Sequence, residues 1–328
     1  MASKYQESQR IRQRELIKKS TLFKGVQGGG YFRGIREEIL KDSGVNLFDE
    51  ILDSSIKYMR DNKIVWWGGK SKPTAHTLSS QIACLNHLFL IRKDRAMVLQ
   101  ILNHVRNEFV DVYPIPNDKE PAYISFEVTS CKDRLNESKS KDAAITRGSN
   151  CTSIDALIYA KHRSGELWLI PIEWKYTEHY NNQDKSKEDR DSEVKGANGK
   201  GLERLSRYSC LIDESKQLKR LPKYQSSVYF FEPFYQLMRQ TLWAEQMILH
   251  QKDEIIKASN YLHLHIIPAK NRDLLNKNYL KQNKGMEQSW RDCLADQTKY
   301  EIVDPGIFLS PIVDQYPELY AYLKERYW

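Results

Sequence analysis

Two runs decide the fold of this chain: Thr152-Ser-Ile-Asp-Ala-Leu-Ile-Tyr-Ala-Lys161 and Leu167-Trp-Leu-Ile-Pro-Ile-Glu-Trp-Lys175. Both are rich in β-branched and aromatic residues, which is typical of strands. Between them, Arg163-Ser-Gly-Glu166 has the composition of a hairpin turn. The stretch therefore predicts an antiparallel hairpin.

Charged residues stand at the open end of this hairpin. Residues i and i+2 of a strand point to the same face, so Glu173 and Lys175 share one, and the hairpin brings Asp155 towards them. Two carboxylates and an ammonium are costly to bury unless a cation lies between the carboxylates, and a hard divalent metal is the obvious candidate.

A third acidic residue follows from the preceding predicted strand. The run 123–130 alternates, and Glu127 lies near its end, so three carboxylates could converge. The alternative is a surface hairpin in which Lys175 merely pairs with one carboxylate. The apolar run Leu167–Ile172 favours a central strand buried on both faces, where the charged ending needs a functional reason.

Composition limits the class of protein. The chain has 328 residues, 40% hydrophobic and 11% aromatic, which is typical of a folded globular protein. A net charge of +8 favours a polyanionic partner, although simple solubility explains it equally well. The five cysteines form no C-x-x-C pair, which disfavours a zinc ribbon or a redox motif. The sequence lacks a long apolar span and an apolar leader, so we expect a cytoplasmic protein with no membrane partner.

Other candidate sites are weaker. No G-x-S-x-G motif indicates a serine hydrolase, and the glycine-rich segments lack the spacing of phosphate-binding loops. His263 and His265 share a face of a predicted strand, and a structural or supporting role is favoured over metal binding because a third ligand is missing nearby.

The order of predicted elements gives the fold class. A long helix from Leu78 towards Val105, broken near Lys93, precedes the strand at 123–130, the hairpin, a helix over 233–250 and a last core strand over 261–267. This order predicts an α/β fold. Helices are also predicted at 35–40, 46–61 and 202–212, and the charged segment 10–19 is either a helix or a mobile basic arm. An aromatic C-terminal tail is expected to pack on the body.

Asp155 with Glu173-Trp174-Lys175 resembles the D…E-x-K signature of the PD-(D/E)XK, restriction-endonuclease-like nuclease superfamily. The wider sequence is similar to a bacterial group of restriction endonuclease-like proteins. That likeness covers roughly residues 65–270 and is carried by five segments: Ser79–Asn86, Phe126–Glu127, Arg147–Asp155, Ile172–Glu178 and Phe234–Leu242. It implies a core of helix, three strands, helix and strand, with a mixed central sheet flanked by helices. The domain prediction is an N-terminal helical extension (1–64), a nuclease core (65–270) and a C-terminal extension (271–328) packed on it.

The resemblance also implies roles for individual residues. Asp155 and Glu173 would be metal ligands, and Lys175 the catalytic lysine. The superfamily often has an acidic residue on its first core helix, where this chain offers Gln81, and Glu127 would supply the missing carboxylate as a third ligand. Gln236 would face the site from the helix after the third strand; the competing interpretation is that this helix only packs.

The function expected from these observations is a metal-dependent DNA endonuclease of restriction or phage defence, using Mg²⁺, with Mn²⁺ as a substitute. One alternative is a DNA-repair exonuclease or structure-specific nuclease; another is a non-catalytic DNA-binding subunit with a nuclease fold. Double-strand cleavage would favour a homodimer, and a partner methyltransferase or other defence-system subunit is a further candidate. Six basic residues are the candidates for DNA contacts: Arg147, Lys195, Lys200, Arg204, Arg207 and Arg239.

Overall fold

The computed structural model describes residues 3–68, 71–138, 145–148, 151–188, 199–280 and 283–328. The strands of this part of the chain are β1 (Gly30–Tyr31), β2 (Ile35–Arg36), β3 (Phe109–Tyr113), β4 (Ile124–Val128), β5 (Ile154–His162), β6 (Leu167–Trp174), β7 (Asn260–Tyr261), β8 (His263–Ile266) and β9 (Tyr300–Val303). The α-helices are α1 (Lys4–Lys19), α2 (Leu52–Asp61), α3 (Ser80–Leu88), α4 (Arg95–Val105), α5 (Lys200–Glu214), α6 (Phe234–Leu249), α7 (Arg272–Leu275), α8 (Met286–Arg291), α9 (Pro305–Phe308) and α10 (Pro317–Arg326).

A mixed sheet lies at the centre of the molecule. Its strand order is β3-β5-β6-β8-β9, with β4 also pairing with β5 and β7 with β6. Strands β3 to β6 pair antiparallel, whereas β6, β8 and β9 run parallel. The expected α/β architecture with a mixed central sheet flanked by helices is confirmed.

The predicted hairpin is the centre of this sheet. β5 and β6 pair from Ala156 opposite Ile172 to Lys161 opposite Leu167. Gly165 takes φ +91° in the turn, a conformation that glycine adopts without a Cβ penalty. Side chains of both strands enter two apolar cores, one on each face of the sheet. Burial on both faces explains why the strand β6 reads as a continuous apolar run.

The first long helix is broken where the sequence predicted a break. α3 ends at Leu88, a 3₁₀ turn covers Leu90–Lys93, and α4 begins after Asp94. The Asp94 carboxylate caps α4 by accepting a hydrogen bond from the Met97 N–H at 3.0 Å. After this break α4 packs against β3, whereas α3 places Gln81 against Glu127 of β4.

Two predictions of secondary structure are wrong. The helix expected over 35–40 is instead the second strand of a small β1–β2 hairpin. At Gly28 and Gly30 an added Cβ would lie 1.9 Å and 2.2 Å from backbone carbonyl oxygens, so the glycines permit this close return of the chain. The strand β8 is also not the last of the sheet, because β9 pairs with it in parallel.

The two chain ends pack on the same core. The Arg12 guanidinium donates to the Trp328 backbone carbonyl at 2.6 Å, and Tyr322 and Tyr327 are buried, which confirms the expected packing of the aromatic tail. The domain boundaries at 64 and 270 stay predictions. No helix among the described residues is long and apolar enough to cross a membrane.

Candidate active site

Three strands deliver three carboxylates to one cavity. Asp155 on β5, Glu173 on β6 and Glu127 on β4 all line a space of about 530 Å³ at the open end of the hairpin. The Trp174 backbone N–H donates to Asp155 Oδ2 at 2.8 Å and so fixes that carboxylate against the next strand. The structure therefore brings together the acidic residues that the sequence selected.

Lys175 lies one residue beyond β6 and is 3% exposed. Its ammonium donates to Glu173 Oε1 and, at 2.6 Å, to Gln236 Oε1. Burial by itself would lower the pKa of this lysine, but the nearby Glu173 carboxylate outweighs it and leaves the pKa well above the usual range. Lys175 is therefore a cation at neutral pH, with its N–H groups directed at Glu173 and Gln236.

Two of the three carboxyl groups in the cavity have raised pKa values. Burial, followed by repulsion from Glu173 and Glu127, raises the pKa of Asp155 well above its usual value. Burial also raises the pKa of Glu127 to about 7, against the hydrogen bond from Gln81. In the described ranges, no group of three or more histidine, cysteine or acidic side chains is placed to hold a metal ion. Glu127 lines the same cavity as Asp155 and Glu173. Its role as a third metal ligand stays a prediction.

Glu127 is held by an unusual backbone. Its φ of +49° lies in the left-handed region, which is strained for a residue with a side chain, and it falls in β4 opposite Asp155. Gln81 Nε2 on α3 donates to Glu127 Oε1 at 3.1 Å. The Arg147 guanidinium donates to the Glu127 carbonyl at 3.0 Å and to Asp118 at 2.8 Å. Arg147, predicted to contact DNA, thus holds the backbone of β4.

Gln240 is a site residue that the sequence analysis missed. Its Nε2 donates to Glu173 Oε2, and its Oε1 is 2.7 Å from His263 Nε2. Because a carboxylate only accepts, the amide must present N–H to Glu173 and oxygen to His263, so His263 carries its proton on Nε2. Burial lowers the pKa of His263 to about 3, consistent with this neutral tautomer. The spacing of Gln236 and Gln240, four residues apart on one helix, was the available signal.

The cavity is also lined by basic residues, here called the basic wall. Four of the predicted DNA-binding residues line it: Lys200, Arg204 and Arg207 from α5, and Arg239 from α6. The Arg204 and Arg239 guanidinium carbons lie 5.6 Å and 5.5 Å from the centroid of the Tyr235 ring. All four of these cations also pair with acidic groups: Lys200 and Arg204 with Glu188, Arg207 with Glu203 and Arg239 with Glu137. Lys195, the remaining candidate, lies outside the described residues.

Comparison with models of protein families matches residues 12–328 to a family described as "Restriction Endonuclease associating with ARP". The match covers residues 12–64 of the predicted N-terminal extension, the hairpin with its carboxylates and the predicted C-terminal extension. No curated protein and no solved structure matches the chain.

Proposed function

The chain belongs to the family of restriction endonucleases associating with ARP, and from that premise we propose that it hydrolyses phosphodiester bonds in DNA at the Asp155–Glu173–Lys175 site. Family membership makes it a restriction endonuclease-like nuclease with a role in restriction or defence. We further propose that Asp155, Glu173 and Lys175 are the active-site residues and that the hydrolysis depends on a divalent metal.

The observation that supports it is the polarity of the cavity. Carboxylates from three strands and cations from α5 and α6 line the same cavity of about 530 Å³. A DNA phosphate is attracted to the basic wall, where lysine and arginine bind it irrespective of sequence. The same phosphate is repelled by the carboxylates unless a cation lies between them. The cavity therefore suits a polyanionic substrate together with a positive ion.

The donor set fits a hard divalent metal. Asp155 and Glu173, with Glu127 beside them, offer oxygen atoms, and Mg²⁺ takes one or two carboxylates while keeping several waters. The raised pKa values of Asp155 and Glu127 mark the cost of ionising them without a counter-ion. When bound, Mg²⁺ or Mn²⁺ would supply an acidified water and polarise the phosphodiester.

The protein residues supply position and charge. Lys175 has three N–H groups, of which two donate to Glu173 and Gln236. The third has no acceptor among the residues that the structure describes, and we propose that it orients a water or offsets negative charge on the attacked phosphate. Gln236 also accepts from the Tyr180 hydroxyl at 2.9 Å, so the lysine is held from two sides. This pre-organisation removes reorientation from the chemical step.

The test is cleavage of plasmid DNA with Mg²⁺ or Mn²⁺ by the full chain and by Asp155→Asn and Lys175→Met. We expect wild type to convert supercoiled plasmid, and each variant to be slower by at least about 100-fold. Glu166→Gln is the matched control, because Glu166 is an exposed carboxylate at the opposite end of the same hairpin. Equal rates in wild type and both site variants would exclude this site, and loss of linear DNA alone would indicate an exonuclease.

The family description names an association with ARP, and we carry that partner to this chain as part of the proposal. Copurification of tagged chain with ARP from cells that express both is the direct test. Absence of a complex at micromolar concentrations of both proteins would remove the partner without affecting the cleavage proposal.

A further inference from the structure

The β1–β2 hairpin carries an exposed apolar pair. Tyr31 is 76% exposed and Ile35 is 79% exposed, the two highest values for large apolar side chains among the described residues. They are direct cross-strand partners, so both side chains lie on one face of the hairpin. Single exposed apolar residues are ordinary on protein surfaces, but two large apolar side chains exposed side by side indicate a contact surface.

This hairpin is held firmly. The Gly30 N–H donates to the Ile39 carbonyl at 2.8 Å, and the Leu40 N–H donates to the Ala75 carbonyl at 3.1 Å. Next to it, the buried Glu38 carboxylate pairs with Arg14 of α1 at 2.8 Å. These contacts fix the position of the hairpin, so Tyr31 and Ile35 stay exposed to solvent instead of packing against the protein.

The tip is connected to the candidate active site. The Phe32 ring stacks on the Trp67 ring with centroids 5.0 Å apart, and Trp67 is 45% exposed. The Trp67 backbone N–H donates to Gln81 Oε1 at 2.8 Å, and Gln81 Nε2 in turn donates to Glu127 Oε1. Trp67, Gln81, Glu127 and Asp155 line a second cavity of about 150 Å³. Glu127 and Asp155 line both cavities, so they border Trp67 in the smaller one and the basic residues of α5 and α6 in the larger one.

The positive charge of the β1–β2 hairpin indicates which kind of partner binds it. Arg33 and Arg36 lie on the hairpin, and neither side chain makes a hydrogen bond or an ion pair with any described residue. The nearby acidic residue Glu37 is paired with Lys18 at 3.2 Å. Apolar side chains flanked by uncompensated guanidinium groups match DNA, which offers base faces between phosphates.

We propose that Tyr31, Ile35 and Trp67 contact bases of the DNA next to the cleaved phosphate, while Arg33 and Arg36 bind the flanking phosphates. The inference rests on the proposed nuclease function and adds the residues that engage the bases. Apolar side chains on such tips insert between base steps or stack on unpaired bases. Bound in this way, the DNA spans from the hairpin across the carboxylates to the basic wall.

The experiment measures DNA binding by the full chain carrying Asp155→Asn, so that cleavage does not interfere. Fluorescence anisotropy with labelled duplex and single-stranded DNA compares this parent with Tyr31→Ser/Ile35→Ser and with Arg33→Gln/Arg36→Gln. We expect the apolar double variant to lose affinity by roughly 10-fold or more with an unchanged salt dependence. The arginine variant should lose affinity and flatten the slope of log K against log salt by roughly 2.

Leu249→Ser is the matched control, because Leu249 is 70% exposed at the far end of α6 and should leave affinity unchanged. A 2-aminopurine base in the duplex gives a second readout: its fluorescence should change on binding the parent and change less with the apolar variant. Circular dichroism confirms that each variant folds.

Parental affinity and an unaltered 2-aminopurine signal in the apolar variant would overturn the inference. If wild type cuts DNA while the hairpin variants also cut and bind normally, only the hairpin is rejected. If wild type never cuts but the hairpin variants lose DNA affinity, the nuclease proposal fails and the hairpin contact stands.

Discussion

At the scale of single residues, the candidate site depends on amide side chains as much as on charges. Gln81, Gln236 and Gln240 each hold one charged member of the site: Glu127, Lys175 and Glu173 respectively. An amide can donate on one side and accept on the other, so it orients a charged partner without adding charge. Such supporting contacts typically affect activity by roughly 10- to 100-fold.

Gln240→Met should lower the cleavage rate by roughly 10- to 100-fold, because Glu173 loses a fixed donor while the volume is nearly conserved. The initial cleavage rate is measured as a function of Mn²⁺ concentration. We expect the variant to need a higher Mn²⁺ concentration than wild type to reach half of its maximal rate. Gln246→Met on the same helix is the control, since no hydrogen bond of its side chain occurs among the described residues. Identical rates for the two variants would contradict a positioning role.

Buried histidines make folding sensitive to acid. Burial lowers the pKa of His87 to about 3; its Nδ1 contacts the Ala83 carbonyl at 2.7 Å and its Nε2 accepts from Trp328 at 3.3 Å. The folded state therefore keeps the ring neutral, whereas the unfolded chain protonates it near its ordinary pKa of about 6.5. The stability that this group contributes is present above pH 6.5 and is lost as the pH falls towards 3.

His87→Leu should weaken the dependence of unfolding free energy on pH by about 1.4 kcal/mol per pH unit between pH 6 and 4.5. Urea unfolding at several pH values gives this slope. Asp155 and Glu127, whose pKa values are raised, act in the opposite direction, so the difference between wild type and variant isolates the imidazole. Parallel pH profiles would show that His87 is protonated in the folded state.

At the scale of elements, α5 and α6 were predicted as helices, but their arrangement was not. α5 carries Lys200, Arg204 and Arg207, while α6 carries Arg239 and both glutamines of the site. The two helices together form the basic wall. Gln236 and Gln240 of α6 also hold Lys175 and Glu173 in place. Sequence patterns identify each helix by its apolar spacing, but the pairing of the two helices depends on contacts far apart in the chain.

Lys200→Gln/Arg207→Gln should weaken DNA binding by Asp155→Asn protein and reduce the slope of log K against log salt by roughly 2, about 0.9 for each lost phosphate contact. Titrations at several salt concentrations measure it. Lys216→Gln/Lys219→Gln, two lysines that follow α5, serve as the charge-matched control. An unchanged slope would show that this wall does not bind phosphate.

Small elements were the ones that the sequence analysis missed or misassigned. β1 and β2 have two residues each, and β9 has four, too few for an alternating pattern to be recognised. The segment 35–40 was predicted to be a helix from its composition, yet close approach of the glycine backbones at 28 and 30 makes it a hairpin strand. Long, strongly patterned elements such as β5, β6 and α6 were predicted within a few residues.

At the scale of the whole molecule, the chain ends are joined by a buried cation. Arg326 is fully buried; its guanidinium donates to Asn46 and to the Tyr322 hydroxyl, and it lies 5.1 Å from the centroid of the Phe23 ring. One side chain therefore connects the N-terminal region, the segment before α2 and the last helix. The predicted extensions are part of the same packed body.

Arg326→Met should destabilise the protein by about 3 kcal/mol, because the buried polar groups around it lose their donor. The measurement is urea unfolding of the full chain followed by tryptophan fluorescence. Arg272→Met provides a comparison at the exposed start of α7, where a change within about 0.5 kcal/mol is expected. Equal stability of wild type and Arg326→Met would mean that the chain ends contribute little to folding.

The sequence alone determined the hairpin, the α/β class and the grouping of Asp155, Glu173 and Lys175. These follow from local rules, namely strand periodicity, turn composition and the i, i+2 relation, which act within about 25 residues. Only the tertiary structure decided which residues surround that group. Gln240, His263, Trp67 and the exposed tip of the β1–β2 hairpin reach the site from distant parts of the chain. Contacts between distant segments depend on the packing of the whole fold, and a single sequence has no local pattern that encodes them.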